Sequence, residues 1–144
     1  MIIFTIGFTK KTAEQFFTRL QKAGVKRLVD VRLNNTSQLA SFAKAKDLEY
    51  FLKVIDGIDF IHSPILAPTP DILESYKKKK GPWTDFERGF LKILERRRIA
   101  EVMIGKIRDG DCLLCSEDTP ERCHRRLIVE HLKKEWGDME IIHI

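Results

Sequence analysis

The chain has 144 residues, 43% of them hydrophobic and 33% charged, with a net charge of +5. That is enough to bury a single core and too apolar to be disordered. It holds no apolar run long enough to cross a bilayer and no basic leader ahead of a hydrophobic stretch, so the expectation is a cytoplasmic protein without a membrane anchor. Three cysteines do not make a secreted disulfide framework, and they read as reduced thiols.

Ile2 to Ile6 is a β-branched and aromatic run ended by Gly7, which predicts a first strand and a tight turn. A helix follows through Ala23, capped by Thr9 or Thr12, with Phe16, Phe17 and Leu20 as its buried stripe. Val25 to Val31 predicts a second strand that delivers Arg32 to its end. The polar stretch LNNTSQLAS comes next, then a helix from Asp47 to Ile55 and a third strand, Ile58 to Ile61, ending at His62. Pro68 and Pro70 mark a loop and a short helix, broken by Gly81-Pro82. Thr84 to Arg98 predicts an amphipathic helix burying Phe86, Phe90, Leu91 and Leu94. Cys112 to Cys115 predicts a fourth strand, Pro120 to Trp136 a last helix, and Met139 to His143 a fifth strand.

Strands alternating with helices predict one α/β domain over residues 1–144, a three-layer Rossmann-like arrangement around a mostly parallel five-stranded sheet. The expected strand order is 3-2-1-4-5. In that order Gly7 and Cys115 flank the crevice where doubly wound sheets take ligands, and Arg32, His62 and His143 open on the same edge.

The chemistry concentrates in CLLCSEDTPERCHRRLIVEHL, Cys112 to Leu132. Strand alternation sends Cys112 into the core, where a free thiol behaves as a small hydrophobe, and leaves Cys115 where strand meets turn. Thr119 as N-cap and Pro120 at the first helical position put Cys123 and His124 at the end of the first turn. The helix dipole there favours a thiolate, and helical spacing aligns His124 with Leu127 and Ile128 on the inward face.

Three chemistries fit the block. The first is nucleophilic or redox chemistry by Cys115 or Cys123, with His124 as base and Arg125 as anion anchor. The second is a metal held by Cys115, Cys123 and His124, although C-x7-C-H is no zinc-finger or ribbon spacing, and the expectation is that the site holds no metal. The third is a disulfide between Cys115 and Cys123. The anion loop of phosphatases and rhodaneses is excluded, because it needs Arg six positions after the cysteine and that position is Glu121. Gly7 stands alone, which excludes a Gly-rich dinucleotide loop.

Thr5-Ile6-Gly7, Asp30-Val31-Arg32 with Ser37 beyond, Leu113 to Ile128, and the terminal His143-Ile144 together resemble the DUF488 family. The C-x-E-x5-C-H-R block at Cys115 to Arg125 is the most specific part of the resemblance. It implies a small Rossmann-like α/β domain with these motifs gathered at the strand ends, and it supplies no activity. The positions it carries over are Arg32, Ser37, Cys115, Glu117, Cys123, His124 and Arg125. Two loops depart from the family pattern: LNNTS stands where a proline is usual, and Leu66-Ala67-Pro68 where Leu-Gly-Gly is usual.

The resulting expectation is a small anionic ligand bound by Gly7, Arg32, Ser37, Glu117 and Arg125, with Cys115, Cys123 and His124 as the chemical groups. Glu117 would orient one of the guanidinium groups. The same polar groups also read as a structural Arg–Glu network tying the turn to the second strand. The alternative function is a nucleic-acid-binding module that uses Lys77 to Lys80 and Trp83 to track a phosphate backbone and stack a base.

Overall fold

The computed structural model describes residues 1–36 and 41–144. Strands β1 (Ile2–Gly7), β2 (Arg27–Asp30), β3 (Asp59–His62), β4 (Asp111–Cys115) and β5 (Glu140–His143) form an all-parallel sheet. Parallel strands need crossover connections, and these are α1 (Ala13–Ala23), α2 (Ala45–Phe51), α3 (Pro70–Lys77), α4 (Trp83–Arg96), α5 (Ile99–Val102) and α6 (His124–Trp136). None of them is long and apolar enough to cross a membrane.

The fold class is as expected, but the strand order is corrected: the sheet runs β3-β2-β4-β1-β5. The step from β1 to β2 leaves a slot that β4 later fills. Every residue of β4 is buried, as befits a strand with a neighbour on each side and helices on both faces. The correction matters for the site. Cys115 lies beside Gly7 of β1, while Val31 at the end of β2 donates its N–H to the Leu114 carbonyl at 3.1 Å. The carboxyl end of β4 is therefore flanked by the ends of both β1 and β2.

Alternation along the strands splits the core in two. Phe4, Ile6, Leu28, Cys112 and Leu114 pack against Phe16, Phe17 and Leu20 of α1 and Leu48 of α2. Ile3, Val29, Leu113 and Cys115 face Phe86, Phe90 and Leu94 of α4 and Leu127, Ile128 and Leu132 of α6. Cys112 is thus a core residue on one face and Cys115 belongs to the other, as the period of two requires. Helix α1 starts where its chemistry says: Thr12 and Gln15 form a reciprocal capping box, and Gly24 closes the helix at φ 75°.

The last helix starts later than the Thr119-Pro120 pair suggests. It begins at His124, with Cys123 in the capping position at φ −137° and ψ 138° and Thr119 outside the helix. The residues ahead of it form an irregular turn whose carbonyls are claimed by distant donors. Thr9 holds the Ser116 carbonyl through both its N–H and its hydroxyl, and Arg125 takes those of Glu117 and Asp118. Lys11 adds an ion pair to Asp118 at 2.8 Å. Further along the turn, the Pro120 carbonyl accepts from the Cys123 N–H only three residues on, and the Glu121 carbonyl from the Arg126 guanidinium, so neither opens an α-helical ladder.

Candidate functional site

A cavity of about 180 Å³ opens at the carboxyl ends of β2 and β4. Its floor is Cys115, Cys123 and His124. Arg32, Leu33 and Asn34, following β2, line one side. Tyr76 and Lys77 of α3 with Trp83 and Phe86 of α4 line the other, and Ser116, Glu117 and Arg122 belong to the turn after β4.

His124 is fixed by two contacts. Its Nε2 lies 2.8 Å from the Val31 carbonyl oxygen, which only accepts, so Nε2 carries the ring proton. Nδ1 then presents its lone pair 3.3 Å from Cys115 Sγ. The edge of the Phe90 ring packs on the imidazole with centroids 5.5 Å apart. Burial lowers the His124 pKa, and Arg125 and Lys77 act in the same direction, so the ring is neutral near pH 7.

The two floor thiols separate in acidity. Burial alone would raise Cys115, yet donation from the Cys123 thiol, the Ser116 N–H and the positive charge of Arg125 bring it below the ordinary thiol value. Cys123 is pushed well above that value by burial and by the neighbouring Cys115. Cys112, buried in the other half of the core, is raised as well. All three are free thiols, so no disulfide joins Cys115 to Cys123. The ligand atoms of Cys115, Cys123 and His124 all lie within 4.8 Å of one another.

The expected anion anchors are distributed differently. Arg125 is buried, and it spends its guanidinium on the Glu117 carbonyl at 2.6 Å, the Asp118 carbonyl at 3.4 Å and the Thr5 hydroxyl at 3.2 Å. It staples the turn and does not line the cavity. Gly7 does not line it either, because the Glu117 carbonyl sits where a Gly7 Cβ would be. The crevice expected between Gly7 and Cys115 is closed by that carbonyl, and the open space lies on the β2 side of Cys115. Arg32 does line the cavity. Its Nε and Nη2 form a two-point pair with Asp30 at 2.9 and 2.8 Å, and Nη2 also reaches the Ala43 carbonyl. Its Nη1 is buried with no hydrogen-bond partner among the described residues.

The Glu117 carboxylate orients no guanidinium and pairs with Lys77 instead. Ser37 lies outside the described residues. Lys77, read from the sequence as the start of a basic track, turns toward the cavity, and Trp83 stacks on Phe86 with centroids 5.1 Å apart. Lys78, Lys79 and Lys80 remain exposed, and Trp83 is half-buried. Tyr76, Phe86 and Arg122 were not singled out as site residues. Phe86 belongs to the buried stripe of its helix, and no spacing rule links any of the three to Cys115.

The family model described as Domain of unknown function DUF488 matches residues 12–132. The chain belongs to this family. No match was found among curated proteins or solved structures. The DUF488 match contains the whole floor of the cavity, Arg32, and the α3–α4 wall, while Thr5, Gly7 and His143 lie outside it.

Proposed function

We propose that this DUF488 protein binds a small anionic molecule in the cavity at the ends of β2 and β4 and acts on it through the Cys115 thiolate. The observation that carries the reading is the Cys115–His124 pair. The imidazole has one nitrogen tied to a backbone carbonyl, its other lone pair 3.3 Å from the sulfur, and a pKa held low by burial. A base oriented by a third group is the arrangement that activates a thiol. The thiolate is also the reactive form of cysteine, and Cys115 is the only thiol of the three whose acidity is raised.

Charge and size support the ligand class. Lys77, Arg122 and Arg32 border the cavity against the single carboxylate of Glu117, and the Arg32 Nη1 has no hydrogen-bond partner among the described residues. Pockets for drug-sized ligands enclose roughly 300–1,000 Å³, so a cavity of about 180 Å³ suits a molecule of few heavy atoms.

The test is alkylation of the reduced, chelator-treated protein by iodoacetamide, followed residue by residue by mass spectrometry from pH 5 to 10. Cys115 should react with a midpoint below the usual value of about 8.5, and saturating sulfate or acetate should slow it at least about fivefold. Cys112 and Cys123 should stay slow. Cys115 labelling with an ordinary midpoint, or at a rate neither anion changes, would sink the reading.

A further inference from the structure

We infer that Cys115, Cys123 and His124 form an open three-ligand site for a zinc-class divalent cation, with the small anion completing its coordination from the cavity. The inference rests on the proposed function for its fourth ligand, and the cluster itself for the other three. In a tetrahedral site with metal–sulfur bonds of about 2.3 Å and a metal–nitrogen bond of about 2.0 Å, ligand atoms stand roughly 3.5–3.8 Å apart. Here Cys115 Sγ and His124 Nδ1 are 3.3 Å apart, and no pair among the three exceeds 4.8 Å. Small side-chain rotations bring them to that spacing. The three ligand residues are buried, and the direction left open is the cavity.

The surroundings of the ligands fit the same assignment. A metal-bound histidine characteristically donates its other ring N–H to a carbonyl or carboxylate, which fixes the tautomer and aims the free nitrogen. His124 does this at 2.8 Å to the Val31 carbonyl. Two thiolates and an imidazole are a soft to borderline donor set, which selects zinc over magnesium or calcium. No fourth Cys, His, Asp or Glu among the described residues joins the cluster, and residues 37–40 are Ser-Gln-Leu-Ala. Three protein ligands and one open position are the pattern of a reactive zinc site, whereas structural zinc sites are closed by four.

The charges balance. Binding displaces the S–H proton of Cys123, and that of Cys115 in the fraction still protonated, and these protons leave to solvent. Two thiolates then neutralise the divalent charge, and the imidazole donates a lone pair without changing protonation. A monovalent anion such as acetate in the fourth position makes the centre singly negative, and sulfate doubly so, opposite Lys77 and Arg122 in the cavity wall. The sequence spacing hides this site because its ligands come from a strand end and a helix start, not from paired C-x-x-C knuckles.

The experiment uses the full chain without a histidine tag, reduced, stripped with a chelator and dialysed against zinc. We expect one zinc per chain by elemental analysis and a rise in Tm of about 5–10 °C. Cobalt(II) should give tetrahedral d–d and thiolate charge-transfer absorption. C115S and C123S should each weaken zinc binding at least about 100-fold, while C112A should retain it. If a cluster variant fails to fold, the unmodified chain still decides the matter, because zinc should slow alkylation of Cys115 at least about tenfold. Less than about 0.1 zinc per chain, or undiminished binding by folded C115S and C123S, overturns the inference. The proposed function stands or falls separately. Sulfate protection of Cys115 in the zinc-free protein would preserve it after the metal site had failed. Zinc bound normally, with a cobalt spectrum that neither sulfate nor acetate changes, would overturn the anion as fourth ligand.

Discussion

At Gly7 the missing side chain is what admits the Glu117 carbonyl. A Cβ built there would lie 1.6 Å from that oxygen and 3.0 Å from Arg125 Nη1, so Gly7→Ala must move either β1 or the turn. Since β1 is hydrogen-bonded on both sides, the turn should yield, taking with it the carbonyls that Arg125 holds. We expect G7A to lose about 1–3 kcal/mol in urea unfolding and to shift the Cys115 alkylation midpoint toward the ordinary thiol value. Unchanged stability and an unchanged midpoint would show that the contact is unimportant. The convergence of Cys115, Cys123 and His124 was legible in the sequence because one closes a strand and the other two open the helix that follows it. The roles of Arg32 and Arg125 were not. A sequence displays a guanidinium's charge but not the carbonyls that an irregular turn will present to it, and Arg125 is absorbed by two of those.

At the scale of elements, the α3–α4 hairpin forms one wall of the cavity, and Lys77 latches it to the β4–α6 turn through Glu117. Both side chains are more than two-fifths exposed, so the ion pair adds little to stability, with a ceiling of about 1 kcal/mol. The hairpin is held by apolar contact instead: Phe86 and Phe90 are buried, and Trp83, Phe86 and Tyr76 pack ring against ring. Lys77→Ala should therefore leave the urea midpoint almost unchanged while reducing sulfate protection of Cys115 at least about threefold. A large loss of stability, or full protection, would contradict that division of labour. The helices here were legible wherever apolar spacing and caps agreed, as in α1 with its capping box. Thr119-Pro120 is an equally strong local signal, yet α6 waits until His124 because contacts from Thr9, Lys11 and Arg125 hold the preceding turn. Long-range hydrogen bonds outweigh a local start signal, and no window of sequence contains them.

At the scale of the molecule, alternating strands and helices made the parallel α/β class legible, but not the slot between β1 and β2 that β4 occupies. Both the expected and the observed orders place Cys115 beside Gly7. Only the observed one also puts β2 beside β4, so that the Val31 carbonyl can fix the His124 tautomer. That contact is made inside a dry floor, which makes the fold sensitive to pH. His124 is lowered by burial, aided by Arg125 and Lys77 and opposed by Cys123 and the Val31 carbonyl. His143 is lowered by its partial burial and by Arg125. As the pH falls below about 6.5, histidines in the unfolded chain take up protons while the folded ones resist. The unfolded state then binds more protons, so stability is complete above that pH and declines below it. The carboxylates lowered by their partners, such as Asp118 beside Lys11, add losses of the same sign only at more acidic pH. Urea unfolding of the metal-free protein should therefore show a midpoint that is flat from pH 7.5 to 6.5 and falls toward pH 5. His124→Gln should remove most of that slope, whereas His143→Asn should remove little of it, because His143 keeps more contact with water. A midpoint that stays flat through pH 5 in the unmodified protein would mean that the imidazole accepts its proton in place, and that the floor beneath the cavity is wet.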